Sequence, residues 1–369
     1  MTPMNYQVVI MGAGVAGMTA ALVLAKNGVK VAVVDKNSRQ KQSFGECVHG
    51  TIQPILSELN LFEQFCRDGH FELQGYEVDW DREGRYERNL IASPYGTGWI
   101  LNRERFDNSL FRAALAAGVD FFWNTRLIDI GRDNNKWQLQ LKSTERVFPN
   151  TNQKQYLTAS YIVDATGRAR VLTRKLNIAE KKADALMACC TYLHHDGSGL
   201  MGKQTAVIKS SPNGWWYLAP FSQTMATLCF FTDNDLAMPK SHSALLHQAN
   251  ELTYLNPYLA QCDLEKTTEF KAISSYSSCV ASCVGEGWIA IGDAACSYDP
   301  LSSYGITSAM GSAYYGATAI VQAMTQEQDS LAQYQQLMHE QFLTYVIDKN
   351  KEYQRVTHYD TDFWKRRQY

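Results

Sequence analysis

A glycine triplet set between an apolar strand and an apolar helix constrains this chain most. Tyr6–Ala25 reads YQVVIMGAGVAGMTAALVLA. No Lys or Arg precedes this run, Lys26 is the first basic residue, and Gly12, Gly14 and Gly17 divide it. A signal peptide or membrane helix would need a basic flank or an unbroken apolar core, so the run predicts strand, turn and helix. Gly12 permits the tight turn, Gly14 admits a pyrophosphate to the backbone, and Gly17 lets the helix sit close on the strand. Ala16 is the small residue between them. Asp35 ends the next apolar strand, VKVAVVD, 18 residues past Gly17 (35 − 17). A carboxylate there accepts from a ribose 2′-OH, and Lys36 follows it. These residues form one expected dinucleotide site.

A second GxGxxG, Gly197–Gly202, fails the same test. The stretch after it, KQTAVIKS, alternates like a strand, and no strand-ending acid follows at the right distance. It is expected to be a hairpin loop. The chain therefore has one dinucleotide fold and no second one for NAD(P)H.

The chain has 369 residues and a net charge of −2. The only basic cluster that stands out is WKRRQ at Trp364–Gln368, expected as a solvated helix end, so nucleic acid is not an expected partner. No other run approaches the roughly 20 apolar residues that span a bilayer. The expectation is a cytoplasmic protein with no membrane partner. Its nine cysteines are scattered without a CxxC and are expected to be reduced. His194-His195-Asp196 has no second ligand cluster nearby and reads as a turn, so no metal is expected.

The coarse pattern is βαβ at the start. Helical spacing follows over Thr51–Cys66, and a polar, aromatic hairpin lobe over Phe71–Ile100. A helix spans Asn102–Ala117, and strands run to Ala165. A strand-rich middle covers Leu186–Phe231, strand returns over Gly287–Ile291, and helices run from Tyr304 and from Ser330. The fold class is α/β: a GR2-type, Rossmann-like domain over 1–70, 101–180 and 283–325. Into it is inserted a mostly antiparallel β-sheet substrate domain over 71–100 and 181–282. A C-terminal helical segment covers 326–369.

Four motifs in order identify a resemblance. They are the glycine triplet, LNRERFDNSL (Leu101–Leu110), IVDATGR (Ile162–Arg168) and IGDAACSYDPLSSYGI (Ile291–Ile306). Together they resemble the flavoprotein monooxygenase superfamily. The resemblance implies FAD, with Arg103 reaching the cofactor and Asp164, Ala165, Thr166 and Gly167 beside it. It also implies Gly292 and Asp293 on the ribityl chain, and Pro300, Gly305 and Ile306 under the isoalloxazine. A helix N-terminus there stabilises the negative charge of reduced flavin. In this superfamily reduced FAD and O₂ give a C4a-hydroperoxide that attacks electron-rich rings.

SFGECVH (Ser43–His49) and GWWYLAP (Gly214–Pro220) resemble the tryptophan-halogenase branch. That branch needs a Lys some tens of residues after the loop, yet no Lys lies between Gln42 and Asn135. It also needs a Glu in a PLES-type stretch, where this chain has Ser302. Oxygenation remains, with His49, Glu46 and Cys47 as candidate catalytic residues; His49 has the side chain that ordinarily titrates near neutrality. Trp215, Trp216, Tyr217, Phe230 and Phe231 are candidate pocket walls. Within the superfamily the chain is most similar to flavoproteins that mature cysteine tryptophylquinone oxidases, as in the lysine-oxidase and glycine-oxidase systems. That implies a Trp of an oxidase precursor protein as substrate and partner, with electrons from NAD(P)H or a partner flavin reductase. Alternatives are a halogenase or small-molecule aromatic hydroxylase, an isoprenoid-type flavin reductase, and a flavin-containing maturation chaperone without turnover.

Overall fold

The computed structural model describes residues 3–38, 46–90, 93–143, 154–266, 268–325 and 329–368. Lys41 and the Ser43–Gly45 part of the loop lie outside them.

Parallel pairing organises the first sheet. Met4–Met11 lies between Lys154–Asp164 and Val31–Val34, both parallel to it. Asp120–Phe122 extends one side and Trp288–Ala290 the other. The central strands are apolar on both faces (Val8, Val9 and Ile10 are fully buried), as a sheet covered by helices on both sides requires. The Val15–Lys26 helix is almost wholly buried and packs between the sheet and the Gly305–Met324 helix. Late strand Trp288–Ala290 thus joins a sheet begun at Met4. That return places the late motif beside the glycine triplet.

A second sheet, eight-stranded among the described residues, holds Leu186–His195, Met225–Asp233, Gly214–Pro220, Thr205–Ser211, Gly75–Asp79 and Arg85–Asn89 in that spatial order. Its pairings are antiparallel except where Thr205–Ser211 runs parallel to Gly75–Asp79. The period-two alternation of strands gives this sheet two cores. Trp216 and Phe230 face the His242–Asn250 and Asn256–Leu259 helices. Trp215 and Phe231 stack at 3.8 Å on the other face, toward the C-terminal segment. These four rings are therefore sheet core rather than pocket walls.

Several expectations change. Thr51–Cys66 is not one helix: Asn60, at φ 58°, separates Gln53–Glu58 from Phe62–Arg67. His194 and His195 end a strand rather than form a turn. Gly197–Gly202 is no hairpin, because the strands it joins are separated in the sheet by two others. Cys279 and Cys296, opposed on neighbouring strands, are paired as a disulfide, so the expectation of reduced thiols fails there.

The WKRRQ end is docked, not solvated. Trp364 is fully buried and donates from its indole nitrogen to the Ser211 carbonyl at 2.8 Å. Arg367 pairs with Asp233 at 2.6 Å and lies over the Phe363 ring. Apolar rings anchor this segment, and the two arginines tie it to acids at the sheet rim. Among the described residues no helix is long and apolar enough to cross a membrane, and no cluster of three potential metal ligands occurs.

Candidate active site

The glycine triplet builds a cradle. Gly12 has φ +103°, and a Cβ there would meet the Ala165 carbonyl oxygen at 2.4 Å. At Gly17 a Cβ would lie 1.9 Å from the Gly12 carbonyl oxygen. Both glycines are thus required by close backbone approach. Gly14 differs, because a Cβ there meets nothing within 4 Å. It opens the helix with no side-chain cap and no acid in the first turn, leaving N–H groups free for an anion. Asp35 holds the turn, accepting from the Ala13 N–H and the Asn37 N–H, each at 2.8 Å. Lys36 is exposed beside it.

The late motif abuts this cradle. Gly292 has φ +57°, and a Cβ there would stand 2.8 Å from the Ala16 Cβ. Residues 276 apart in sequence (292 − 16) therefore share one floor. The Gly292 N–H donates to Ser312 Oγ at 2.8 Å, which fixes this turn to the Gly305–Met324 helix. Gly305 and Ile306 begin that helix; Ile306 is buried, and a Cβ at Gly305 would again meet open space. Their N–H groups belong to the first turn, where no intrahelical acceptor exists.

Asp293 stands in a recess between the two motifs, with Arg168 Nε 3.5 Å from its Oδ2. Enclosure by protein raises its carboxyl above the ordinary value, against the pull of Arg168 and Arg170. Glu46 shares the recess and is raised by burial too, with Asp293 as one repelling charge. Yet the two side chains remain 47% and 37% open to solvent, Glu46 the more so. Both carboxylates are thus enclosed but still reachable.

Arg103 is committed differently from the expectation. It is ion-paired to Glu46 and, one turn along its own helix, to Asp107 at 3.3 Å. Asp164 is fully buried, and both its oxygens are used internally. One accepts from the Thr166 N–H and hydroxyl, the other from the Leu172 and Thr173 N–H groups at 2.9 and 3.0 Å. It shapes the Ala165-Thr166-Gly167 turn rather than offering a free carboxylate. Arg168, absent from the expected site, is the neighbour of Asp293. Its position directly after DATG was the available signal.

Beyond the recess, Cys47 and His49 gather against Tyr76 and Tyr217 of the second large sheet. Cys47 Sγ lies 2.5 Å from the Tyr217 hydroxyl, and Tyr76 lies 3.4 Å from His49 Nε2. Tyr76 also hydrogen-bonds Ser303, which precedes the Gly305–Met324 helix. Burial pushes the Cys47 thiol up to about 12 and lowers His49 below its ordinary value, with Arg88 adding to the latter. So Cys47 is a protonated thiol and His49 a neutral imidazole at neutral pH. Pattern reading found His49 and Cys47 and named Tyr217 as a pocket wall, but Tyr76 comes from a distant strand and needed the tertiary pairing. Ser302 turns inward, its hydroxyl donating to the Asp299 carbonyl at 2.8 Å. Pro300 is exposed at the start of that turn.

Comparisons with known proteins agree with this geometry. A family model described as "FAD binding domain" matches residues 5–343. LodB of Marinomonas mediterranea, described as an FAD-dependent oxidoreductase, is 27% identical over 98% of this chain and 97% of its own. The structure of CndH, a myxobacterial halogenase, superposes with TM-score 0.87 at 23% identity, covering 99% of this chain and 86% of the other. That of QhpG, described as a peptidyl tryptophan dihydroxylase, superposes with TM-score 0.79 at 22% identity, covering 99% of this chain and 79% of the other. The open cradle at Gly14 and Gly305 and the recess around Asp293 suit this cofactor. The chain belongs to the FAD binding domain family and is an FAD-dependent oxidoreductase.

Proposed function

We propose that this oxidoreductase hydroxylates an aromatic ring, namely a Trp side chain of an oxidase precursor protein, during cysteine tryptophylquinone biogenesis. The observation that carries the reading is the near end-to-end correspondence with LodB, matched over 98% of this chain and 97% of that one. The fold shared with QhpG supports it, since that protein is described as essential for tryptophylquinone cofactor biogenesis. Against halogenation stands Ser302: its hydroxyl is spent on the Asp299 carbonyl, and no carboxylate occupies that place.

Bound FAD, once reduced by NAD(P)H or a partner reductase, would supply the two electrons with which O₂ gives one oxygen atom to the ring and the other to water. The residues of this chain bind and orient. Gly14 and the first turn of the Val15–Lys26 helix hold the pyrophosphate, Asp293 the ribityl hydroxyls, and Gly305 and Ile306 the flavin edge. Arg168 keeps Asp293 aimed into the recess. His49, neutral by burial, can take the proton released as the ring is hydroxylated, and Tyr76 fixes its orientation at 3.4 Å. Cys47 and Tyr217, both protonated, close the pocket and exclude water.

The test is incubation of the FAD-loaded protein with a reductant, ¹⁸O₂ and a Trp-containing precursor peptide. Heavy oxygen in the indole supports the reading; peptide unchanged while O₂ is consumed overturns it.

A further inference from the structure

A polar cleft of about 470 Å³ opens beside Tyr76; Gln74, Arg88, Lys203 and Gln223 line it, and so do Glu77 and Glu87. Tyr76 also borders the pocket that holds His49, 3.4 Å from its Nε2. Strand register decides which charges face that pocket. Arg88 is directly opposite Tyr76 on the antiparallel neighbour, and Glu87 is opposite Glu77. Opposed residues share a face, so Arg88 lies on the Tyr76 face and the two glutamates on the reverse. Glu77 confirms the assignment: Tyr258, from a helix on that reverse side, donates to it at 2.5 Å. Glu77 also pairs with Arg85 and holds Lys203 at 3.7 Å. Lys203 is thereby engaged, whereas Arg88 has no carboxylate partner among the described residues. Its strand is an edge of the sheet, which leaves room for an extended chain alongside.

We infer that Arg88, on the Tyr76 face of this cleft and not on the face of Glu77 and Glu87, binds a carboxylate of the substrate, and so seats the ring to be oxidised against His49. The carboxylate belongs either to an acidic residue flanking the target Trp in a polypeptide or to the α-carboxyl of a free amino acid. A guanidinium presents paired donors that match a carboxylate. The amide side chain of Gln223 adds hydrogen-bonding groups suited to a peptide backbone, while that of Gln74 donates to Gln204. The inference rests on the proposed function for the aromatic ring, but it concerns binding and is testable without turnover.

The experiment measures binding to the FAD-loaded protein through the flavin absorbance change. The probes are a Trp peptide with flanking Glu residues, its Gln counterpart and free L-tryptophan. The parent is expected to bind the Glu peptide roughly tenfold or more tighter than the Gln peptide. Arg88→Gln abolishes the difference and Arg88→Lys keeps part of it. If free L-tryptophan instead carries the whole Arg88 dependence, the site stands with an amino acid as its ligand. An NMR titration of the His49 ring gives an independent readout: Arg88→Gln raises its pKa, because the facing positive charge is gone. Equal binding of all three probes by parent and Arg88→Gln overturns the inference. Preserved discrimination with no oxygen entering either peptide overturns the proposed function and leaves the carboxylate site standing.

Discussion

The Tyr353 hydroxyl donates to Asp299 Oδ2 at 2.7 Å, and the Trp215 indole N–H donates to the Tyr353 oxygen at 2.9 Å. This chain of donors ties the second sheet, the C-terminal helix and the turn before the flavin-side helix into one unit. The Asp299 N–H completes it, donating to the Tyr345 oxygen at 2.6 Å. Tyr353→Phe leaves a buried carboxylate and a buried indole N–H each short of a partner. The expected cost is about 1–3 kcal/mol, seen as a lower Tm with weaker FAD retention. An unchanged Tm would show that the C-terminal helix is not coupled to this turn.

Burial raises the Asp299 carboxyl to about 6. A carboxyl whose folded pKa lies above the unfolded value, near 3.9, favours folding when protonated. Its contribution is complete below about pH 4 and is lost as pH rises through about 6. Asp299→Asn removes that dependence. The stability of the parent relative to Asp299→Asn is therefore expected to fall between pH 4 and 6 and to stay level above, as followed by urea unfolding across pH.

The glycines of the cradle separate folding from binding. Gly17→Val drives a side chain into the Gly12 carbonyl and is expected to prevent stable folding. Gly14→Val meets open space instead, so the apoprotein keeps its Tm while FAD is lost. Apoprotein melting with a flavin assay distinguishes the two. Equal damage to stability from both would place Gly14 in the packing.

Local pattern carried much of this architecture. The strand-turn-helix at Tyr6–Ala25 was legible because glycine spacing and apolar burial act over neighbouring residues. The apposition of Gly292 on Ala16 was implied by the late motif, though only the parallel pairing of Trp288–Ala290 with Lys154–Asp164 shows its cause. The docked C-terminus was not legible. Arg366 and Arg367 look solvated until Asp233 and Asp235 arrive from the rim of the second sheet. The internal role of Asp164 was not legible for a similar reason: its acceptors are filled by backbone N–H groups and a neighbouring hydroxyl, which sequence does not display.

The thiols make a simple contrast. Cys66 is exposed, whereas Cys47 is buried and its thiol is pushed up to about 12. Because the thiolate is the nucleophile, iodoacetamide at pH 8 is expected to label Cys66 and spare Cys47 in the folded protein. Peptide mapping reads the outcome, and rapid labelling of Cys47 would show that the pocket is open.

His49→Gln keeps a hydrogen-bonding side chain near Tyr76 but removes the proton acceptor. The expected loss in kcat is about 10²–10⁴-fold with KM little changed. In the parent, a rate level from pH 7 to 9 and falling below pH 6.5 matches a base whose pKa burial has lowered. A variant with unaltered kcat would remove His49 from the reaction.

The most direct measurement is the intact mass of the oxidase precursor after co-expression with this protein, its Asp293→Ala variant, or neither. The account predicts that the precursor gains the mass of one or two oxygen atoms on its Trp only with the parent protein. A precursor that acquires its oxygens without this protein, or equally with Asp293→Ala depleted of FAD, would contradict it.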